Sequence, residues 1–310
     1  MKTNGVATSL LFHRRKIESS QEAEAEPEDM EAQCDEEPEV AEEDFRVPFD
    51  GQLVIGIDPG KRDMIAAESV HGARKVSFTY STKQQYHESF STEHIIQTRR
   101  ELSNYTLPPE MGGGSLRECI TTLPSKRTEW MDFAAAFLRV LPYLMDFYQR
   151  EKVRHRAFKV YRRREQALTA LCERITGGED NAIVAFGAAS SSRGFGYAPT
   201  PQKRLLRRLS QAPFHAHVVM VDEAYTSQLC SKCHSKVVPG KCTVYKKDEN
   251  GFIVDKLRRQ DCYGVRACPS CKTFHHRDLM AARNIGFKYL HKAEHGSYPP
   301  LFCIPAASLE

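Results

Sequence analysis

The sequence predicts an α/β fold with a mixed sheet, flanking helices and an inserted metal-binding ribbon. Three observations carry this prediction. Short apolar, β-branched runs recur along the chain and end in Gly or Asp, as buried strands do. One long segment repeats its apolar residues at three- and four-residue spacing, which is typical of a helix. Two Cys-x-x-Cys pairs, far apart along the chain, have the spacing of zinc-binding knuckles.

The charge is distributed unevenly. Residues 1–45 carry 14 acidic and 4 basic side chains, so the rest of the chain has a net charge of +14 although the whole has +4. A polar acidic stretch buries too little apolar surface to fold, and we therefore predict a disordered acidic tail over residues 1–46. The basic remainder favours a polyanionic partner such as nucleic acid.

Composition argues against two other classes of protein. No run of eighteen apolar residues is present, and the first residues lack a signal-peptide pattern, so we expect no membrane partner. Ten cysteines among 310 residues are too sparse for a secreted disulfide scaffold. The paired cysteines instead favour a bound metal in a reducing compartment inside the cell.

The predicted strands follow the chain in a definite order. Residues 53–57 form a buried strand that Asp58 ends at a Pro-Gly turn. Residues 64–69 and 75–80 add two strands of a meander, and residues 81–125 are expected to be irregular because of their proline and glycine clusters.

A long helix is expected next, over residues 128–175, kinked or split at Pro142. Its second half is the most basic stretch of the chain, and that face is either solvated or follows a phosphate backbone. A strand at 182–186, a short basic helix at 205–209 and a strand at 217–221 complete the core. Meander, long helix and strand–helix–strand together are the order of an RNase H-like fold.

Four cysteines form the predicted zinc site, namely Cys230, Cys233, Cys268 and Cys271. Each Cys-x-x-Cys pair grips one ion from a tight turn, and two pairs supply the four-thiolate tetrahedron of a structural zinc ribbon. A closed Zn²⁺ site has no open coordination position, so its role is structural. The residues between the pairs are expected to form an irregular excursion. Cys242 and Cys262 lie within it as spare or substitute ligands.

Three carboxylates stand where the predicted elements begin or end. Asp58 ends the first strand, Glu223 follows the strand at 217–221, and Asp278 opens a helix over residues 279–285. Carboxylates at such places can hold a pair of Mg²⁺ ions for phosphodiester cleavage. Taken singly, each has a simpler interpretation, since Asp is common in turns and at helix N-caps.

These motifs resemble a known group of nucleases. LVIGIDPG, VDEAYTSQLCSKC and CPSC…HRDLMAARNI are similar to the split RuvC motifs and inserted zinc ribbon of TnpB-type transposon nucleases. They resemble most closely the eukaryotic Fanzor branch, and more distantly the type V CRISPR effectors. The resemblance implies DNA cleavage with Mg²⁺ by three RuvC carboxylates, guided by a transposon-encoded RNA. Asp58 matches the first motif and Asp278 the third.

The second motif of the resemblance points to Glu223. TnpB proteins carry this Glu at the end of the strand that matches AIVAFG, where this chain has Gly187. In Fanzor proteins the acid often stands on the strand before the ribbon, at the place of Glu223. Asp222 is the alternative, but successive strand residues face opposite sides of a sheet. In the third motif, His276 and Met280 stand where the family usually has Asn.

The resemblance covers roughly residues 50–290 and sets the expected organisation. A split RuvC-like nuclease domain spans 47–290, with a helical insertion at 126–176 and the zinc ribbon at 224–277, and a C-terminal tail follows at 291–310. The family carries a recognition part before the first RuvC strand, and only about fifty residues precede that strand here. RNA guidance is therefore expected of a longer form.

Three functions are compatible with these residues. The leading one is a transposon-derived, Mg²⁺-dependent DNA endonuclease of the RuvC type, acting in the nucleus, with guide RNA as a further partner. The alternative is a catalytically inactive remnant that binds DNA or RNA through its zinc ribbon. A third is a protein-interaction module, which the basic charge of the body disfavours.

Overall fold

The computed structural model describes residues 44–60, 63–124, 130–188, 202–248 and 253–303. Apart from its last three residues, the predicted acidic tail lies outside this part of the chain. Five strands form one mixed sheet: β1 (Val54–Pro59), β2 (Asp63–His71), β3 (Ser77–Ser81), β4 (Ile183–Gly187) and β5 (His217–Val221). Their order is β3-β2-β1-β4-β5, so β1 lies at the centre. All five strands had been predicted within a few residues.

The sheet changes character at β1. Strands β1, β2 and β3 are antiparallel neighbours, as the predicted meander requires. Strands β4 and β5 run parallel to β1, with Ile57 beside Phe186 and Gly187 beside Val221. The carboxyl ends of β1, β4 and β5 therefore meet at one edge of the sheet, where ligands bind in open α/β folds.

Residues 81–125 were expected to be irregular, and that prediction was wrong. The structure has α1 (Thr82–Glu88), α2 (Ser91–Asn104) and α3 (Leu116–Thr121) there, with a 3₁₀ turn between the last two. Helix α2 buries only Ser91 and Leu102, so its apolar pattern is too thin to detect. The cap of α3 was detectable, because Ser115 and Glu118 form a reciprocal capping box.

The long helical segment is split, but not at Pro142. Helix α4 (Trp130–Gln149) continues through Pro142, and the break falls at Arg150 before α5 (Glu151–Thr176). Residues 128 and 129 of the predicted helix lie outside the described residues. The buried stripe of α4 is Val140, Leu144 and Phe147, whereas Trp130 is 55% exposed. Gly177, at φ +66°, ends α5 in the left-handed conformation that favours glycine.

Helices cover both faces of the sheet. On one face the core joins β1, β2 and β4 to α5 and to α6 (Gln202–Ser210), through buried residues such as Ile57, Leu171 and Leu209. On the other face α7 (Arg277–His295) packs against β1, β4 and β5 through Ile285 and Tyr289. The predicted α/β class with a mixed sheet and flanking helices is confirmed.

The expected irregular insert between the cysteine pairs is instead a regular hairpin. Strands β6 (Val238–Lys247) and β7 (Ile253–Ala267) pair antiparallel, and β8 (Phe274–His276) joins the edge of β7. Turn formers near the start of the insert (Pro239-Gly240) and in its middle (residues 248–251) had hidden the extended runs beside them. Residues 291–303 include the end of α7 and a 3₁₀ turn that buries Phe302. No helix in the described ranges is both long and apolar enough to cross a membrane.

Candidate nuclease site and zinc ribbon

The structure brings Asp58, Glu223 and Asp278 to one edge of the central sheet. Asp58 lies near the carboxyl end of β1, Glu223 follows β5 by two residues, and Asp278 lies in the first turn of α7. All three side chains are partly buried. Residues separated by more than 200 positions in the chain thus share one site, which we call the acidic centre.

Two glycines bring α7 against β1. A Cβ atom placed on Gly56 would lie 1.9 Å from the carbonyl oxygen of Ala282 and 2.6 Å from the backbone nitrogen of Gly286. A Cβ on Gly286 would lie 2.8 Å from both γ-methyl carbons of Val70. Strand and helix therefore touch backbone to backbone. This contact fixes the position of Asp278 relative to Asp58, because both acids are close to it along the chain.

Glu223 occupies the space above Gly187. A Cβ on Gly187 would lie 2.0 Å from Oε1 of Glu223 and 2.7 Å from its Cδ. The end of β4 is thus covered by the carboxylate of the neighbouring strand's extension. The carboxylate of Glu223 therefore fits at this position only because residue 187 is a glycine and has no side chain.

Asp222, the alternative to Glu223, points elsewhere. Its Oδ2 lies 2.8 Å from Nζ of Lys288, whose side chain is 0% exposed, and its Oδ1 accepts a hydrogen bond from the N–H of Ala224. Nζ of Lys288 also lies 4.8 Å from the ring centroid of Tyr298. Asp222 therefore serves as the partner of a buried cation.

The electrostatics of the acidic centre are those of crowded negative charge. Burial, together with the negative charges of Glu223 and Asp278, raises the pKa of Asp58 to about 8, while the nearby Arg277 opposes this shift. The three carboxylates lie too far apart for one oxygen from each to fall within 4.8 Å of the others. Carboxylate oxygens are the ligand type that Mg²⁺ takes in proteins, so the donor set is compatible with this ion.

Four thiols form a second cluster. Sγ atoms of Cys230, Cys233, Cys268 and Cys271 lie within 4.8 Å of one another, the only such group of potential ligands found in the described ranges. Sγ of Cys230 is 3.6 Å from that of Cys271, and Sγ of Cys233 is 3.4 Å from that of Cys268. A tetrahedron with Zn–S bonds of about 2.3 Å has edges near these lengths. The cluster could therefore hold zinc.

Hydrogen bonds favour the thiolate form of two of the four cysteines. The backbone and side chain of Ser235 bond to Sγ of Cys233 and lower the pKa of that thiol to about 6. Thr273 lowers the pKa of Cys271 in the same way, with its Oγ1 2.8 Å from Sγ. At Cys268 a backbone hydrogen bond from Cys271 lowers the pKa, but burial and the thiols of Cys233 and Cys271 outweigh it and raise the pKa to about 11. His275 adds a contact of 3.2 Å between its Nε2 and Sγ of Cys230. Cys242 and Cys262, expected as spare ligands, lie on β6 and β7, outside the cluster.

Helix α7 connects the cysteine cluster to the acidic centre. Met280 packs among the cysteines. One turn further on, the side-chain nitrogen of Asn284 donates to the carbonyl oxygens of Thr226 and Leu229, both at 2.7 Å. The loop between Glu223 and Cys230 is therefore tied to the helix that carries Asp278. Asn284 and Lys288 were not predicted as functional residues. The sequence does place these two polar side chains among the apolar residues of the buried face of α7, which could have pointed to them.

Comparison with known protein families gives one match. Residues 211–285 match the family model described as Cas12f1-like, TNB domain. The segment contains Glu223, all four clustered cysteines and Asp278. The resemblance to TnpB-type and type V nucleases is confirmed for this segment, which is less than half of the chain. Among proteins with curated descriptions, none matches this chain.

Comparison with solved structures gives more distant similarities. The mini-RNA-guided endonuclease CRISPR-Cas_phi3 is 11% identical, with a TM-score of 0.41, over 77% of this chain and 45% of that one. CasPhi-2 (Cas12j) bound to crRNA is 14% identical, with a TM-score of 0.34, over 77% and 48% of the two chains. The structure of CasPhi-2 with crRNA and phosphorothioate-DNA is 14% identical, with a TM-score of 0.36, over 77% of this chain and 45% of that one. The chain spans less than half the length of these structures.

Proposed function

We propose that this protein is a RuvC-type, Mg²⁺-dependent DNA endonuclease of transposon origin, similar to the Fanzor and TnpB nucleases. The observation that carries the proposal is the convergence of Asp58, Glu223 and Asp278 at one edge of the sheet. The strand order β3-β2-β1-β4-β5, with the first three antiparallel and the last two parallel to β1, supports the RNase H-like assignment. The basic body supports a nucleic-acid partner.

The three acids have related roles in this proposal. Asp58, Glu223 and Asp278 together would hold two Mg²⁺ ions, with Asp58 central because the charges of both other acids raise its pKa. When bound, such ions would activate a water and stabilise the leaving oxygen of the phosphodiester. Glu223 is held in place by the turn after β5, where Thr226 donates to the carbonyl oxygen of Glu223 from both its N–H and its hydroxyl group.

The zinc ribbon has a structural role in the proposal. Four thiolates around Zn²⁺ fix the knuckles at the base of the β6–β7 hairpin, and Met280 transmits that order to the first turns of α7. RNA guidance belongs to the proposal only for a longer form of the protein that carries a recognition part.

The test is cleavage of single-stranded DNA by the purified chain and three variants. We expect product in Mg²⁺ and a loss of about 10²-fold or more for Asp58→Ala, Glu223→Ala and Asp278→Ala, because each removes an oxygen ligand of the ions. Asp180→Ala is the matched control, since this exposed acid lies just before β4, at the opposite end of that strand from Gly187. It should cleave like the wild type.

Two results would contradict the proposal. Wild-type cleavage by any one of the three variants would remove that residue from the mechanism. Salt-dependent DNA binding without any Mg²⁺-dependent product would support the alternative, a nucleic-acid-binding remnant that has lost its activity.

A further inference from the structure

An exposed aromatic side chain lies at the border of the acidic centre. Tyr263 is on β7 and is 76% exposed, with its hydroxyl group bonded to nothing in the described chain. Val265 pairs with His276 at the end of β8, and α7 begins at the next residue. Tyr263 is two residues further along β7 in that same direction. It therefore faces the helix turn that carries Asp278.

Arg277 covers one side of this ring. Its guanidinium carbon lies 4.4 Å from the ring centroid of Tyr263, a cation–π distance. The guanidinium makes no hydrogen bond or ion pair within the described chain, and its Nε is buried without a partner. Arg277 is also next to Asp278 in sequence and close enough to Asp58 to influence its charge. Within the described chain, the terminal N–H groups of Arg277 therefore have no hydrogen-bond acceptor and can bind a ligand.

We propose that Tyr263 and Arg277 form a subsite for single-stranded DNA, in which a base stacks on the open side of Tyr263 and Arg277 binds the neighbouring phosphate. The proposal rests on the proposed function, because it takes the ligand to be the strand cut at the acidic centre. The chemistry of both residues fits this ligand. Bases stack on aromatic rings without sequence preference, and a guanidinium presents several N–H donors to phosphate oxygens.

The subsite also addresses an electrostatic problem. A phosphate entering the acidic centre meets the negative charges of Glu223 and Asp278, which repel it. The guanidinium of Arg277 at the border attracts the DNA backbone to that edge. A base stacked on Tyr263 then determines which phosphate enters the acidic centre. Because the ring of Tyr263 is held by Arg277, the platform is ordered before the strand arrives, which reduces the entropic cost of binding.

The experiment measures binding without cleavage. The full chain is titrated, with no divalent metal added, into short single-stranded DNAs that carry 2-aminopurine at successive positions. We expect quenching at one position, since stacking quenches this base. Tyr263→Leu should abolish that quenching and weaken binding about ten-fold, within the range measured for base–aromatic stacking, whereas Tyr263→Phe should retain both. Arg277→Gln should reduce the slope of log affinity against log salt by about 0.7, as expected for one lost phosphate contact.

Phe274→Leu is the matched control. Phe274 lies in the same three-stranded sheet, on β8, and is 74% exposed. Its loss should leave quenching and affinity unchanged. Equal effects of Tyr263→Leu and Phe274→Leu, or quenching by Tyr263→Leu as in the wild type, would overturn the subsite. Quenching that depends on Tyr263 in a protein that never cleaves DNA would support the subsite and refute the nuclease activity alone.

Discussion

The ammonium group of Lys288 is buried, yet the acid that pairs with it is half exposed. Nζ of Lys288 lies 2.8 Å from Oδ2 of Asp222, and the two side chains are 0% and 55% exposed, respectively. The pair joins the middle of α7 to the end of β5, one residue before Glu223. Because only one member is desolvated, removing the two partners should have unequal consequences.

Asp222→Ala should destabilise the protein strongly, whereas Lys288→Met should not. The first change leaves a buried cation without its counter-charge, which costs about 3–5 kcal/mol. The second removes that cation and leaves an acid that water can solvate, so no buried charge remains unpaired and little stability should be lost. Urea denaturation of both variants and of the double variant measures this. The double variant should behave like Lys288→Met, and equal destabilisation by the two single changes would contradict the assignment.

The carboxylate above Gly187 can be moved to the neighbouring strand. Gly187→Glu alone should reduce cleavage about 10²-fold, because its Cβ would lie 2.0 Å from the present position of Oε1 of Glu223. Glu223→Ala alone should lose cleavage because the ligand is gone. The double variant has room for the new side chain and should cleave about ten-fold faster than either single variant. Cleavage assays decide this, and a double variant no better than Glu223→Ala would show that the strands are not interchangeable.

Zinc should bind once per chain and depend on the clustered cysteines. Cys230→Ser should lose the metal, and the ribbon should unfold with it, because structural zinc contributes about 10–16 kcal/mol in small peptides. Release of zinc to a chromogenic chelator and circular dichroism measure the two effects. Cys242→Ser is the control, since Cys242 pairs with Gln260 in the hairpin and lies outside the cluster. Loss of zinc from Cys242→Ser would contradict the ligand set.

With its zinc in place but without Mg²⁺, the protein should lose stability as the pH rises from 6 to 8. The carboxyl group of Asp58 has a pKa raised to about 8 in the folded chain, against an ordinary value of 3.8. The unfolded chain therefore releases this proton first, and the free energy of unfolding falls by at most about 1.4 kcal/mol per pH unit in this range. Urea denaturation of the zinc-loaded protein without Mg²⁺ tests this. Asp58→Asn should show a shallower dependence, and an unchanged slope would contradict the raised pKa.

The parts of the fold with strong local signals were predictable from sequence. Strand β5 was placed at its observed bounds because its apolar run is bracketed by polar residues. The break between α4 and α5 at Arg150 could not be predicted, because the expectation that proline interrupts helices pointed to Pro142 instead. Pro142 is exposed within α4, where the helix tolerates the lost hydrogen bond. Helix α2 was missed because few of its side chains are buried, and its ion pair from Glu101 to Arg156 of α5 cannot be read from the local sequence.

The placement of the three acids at the ends of elements was predictable, but their supporting contacts were not. Asp58, Glu223 and Asp278 stand at element ends, which a sequence reveals. The pairing of Lys288 with Asp222 joins residues 66 positions apart, and the bonds from Asn284 span 55 and 58 positions. Neither follows from local pattern, because both depend on how α7 lies across the sheet. Likewise, the exposed ring of Tyr263 suggests a binding role only because Arg277 packs on it, and that contact cannot be read from the local sequence.

Because the backbones touch at Gly56 and Gly286, the placement of α7 on β1 does not depend on how many residues lie between them in the chain. Asp58 and Asp278 are both close to this main-chain contact, so their separation depends on the contact and not on the length of the chain between them. Loops, helices and even whole modules inserted after β1 would leave that geometry intact, provided that both glycines stay. A gene could thus gain or lose large internal pieces while its chemistry stayed in place, and a tool-maker could shorten or extend the same intervals.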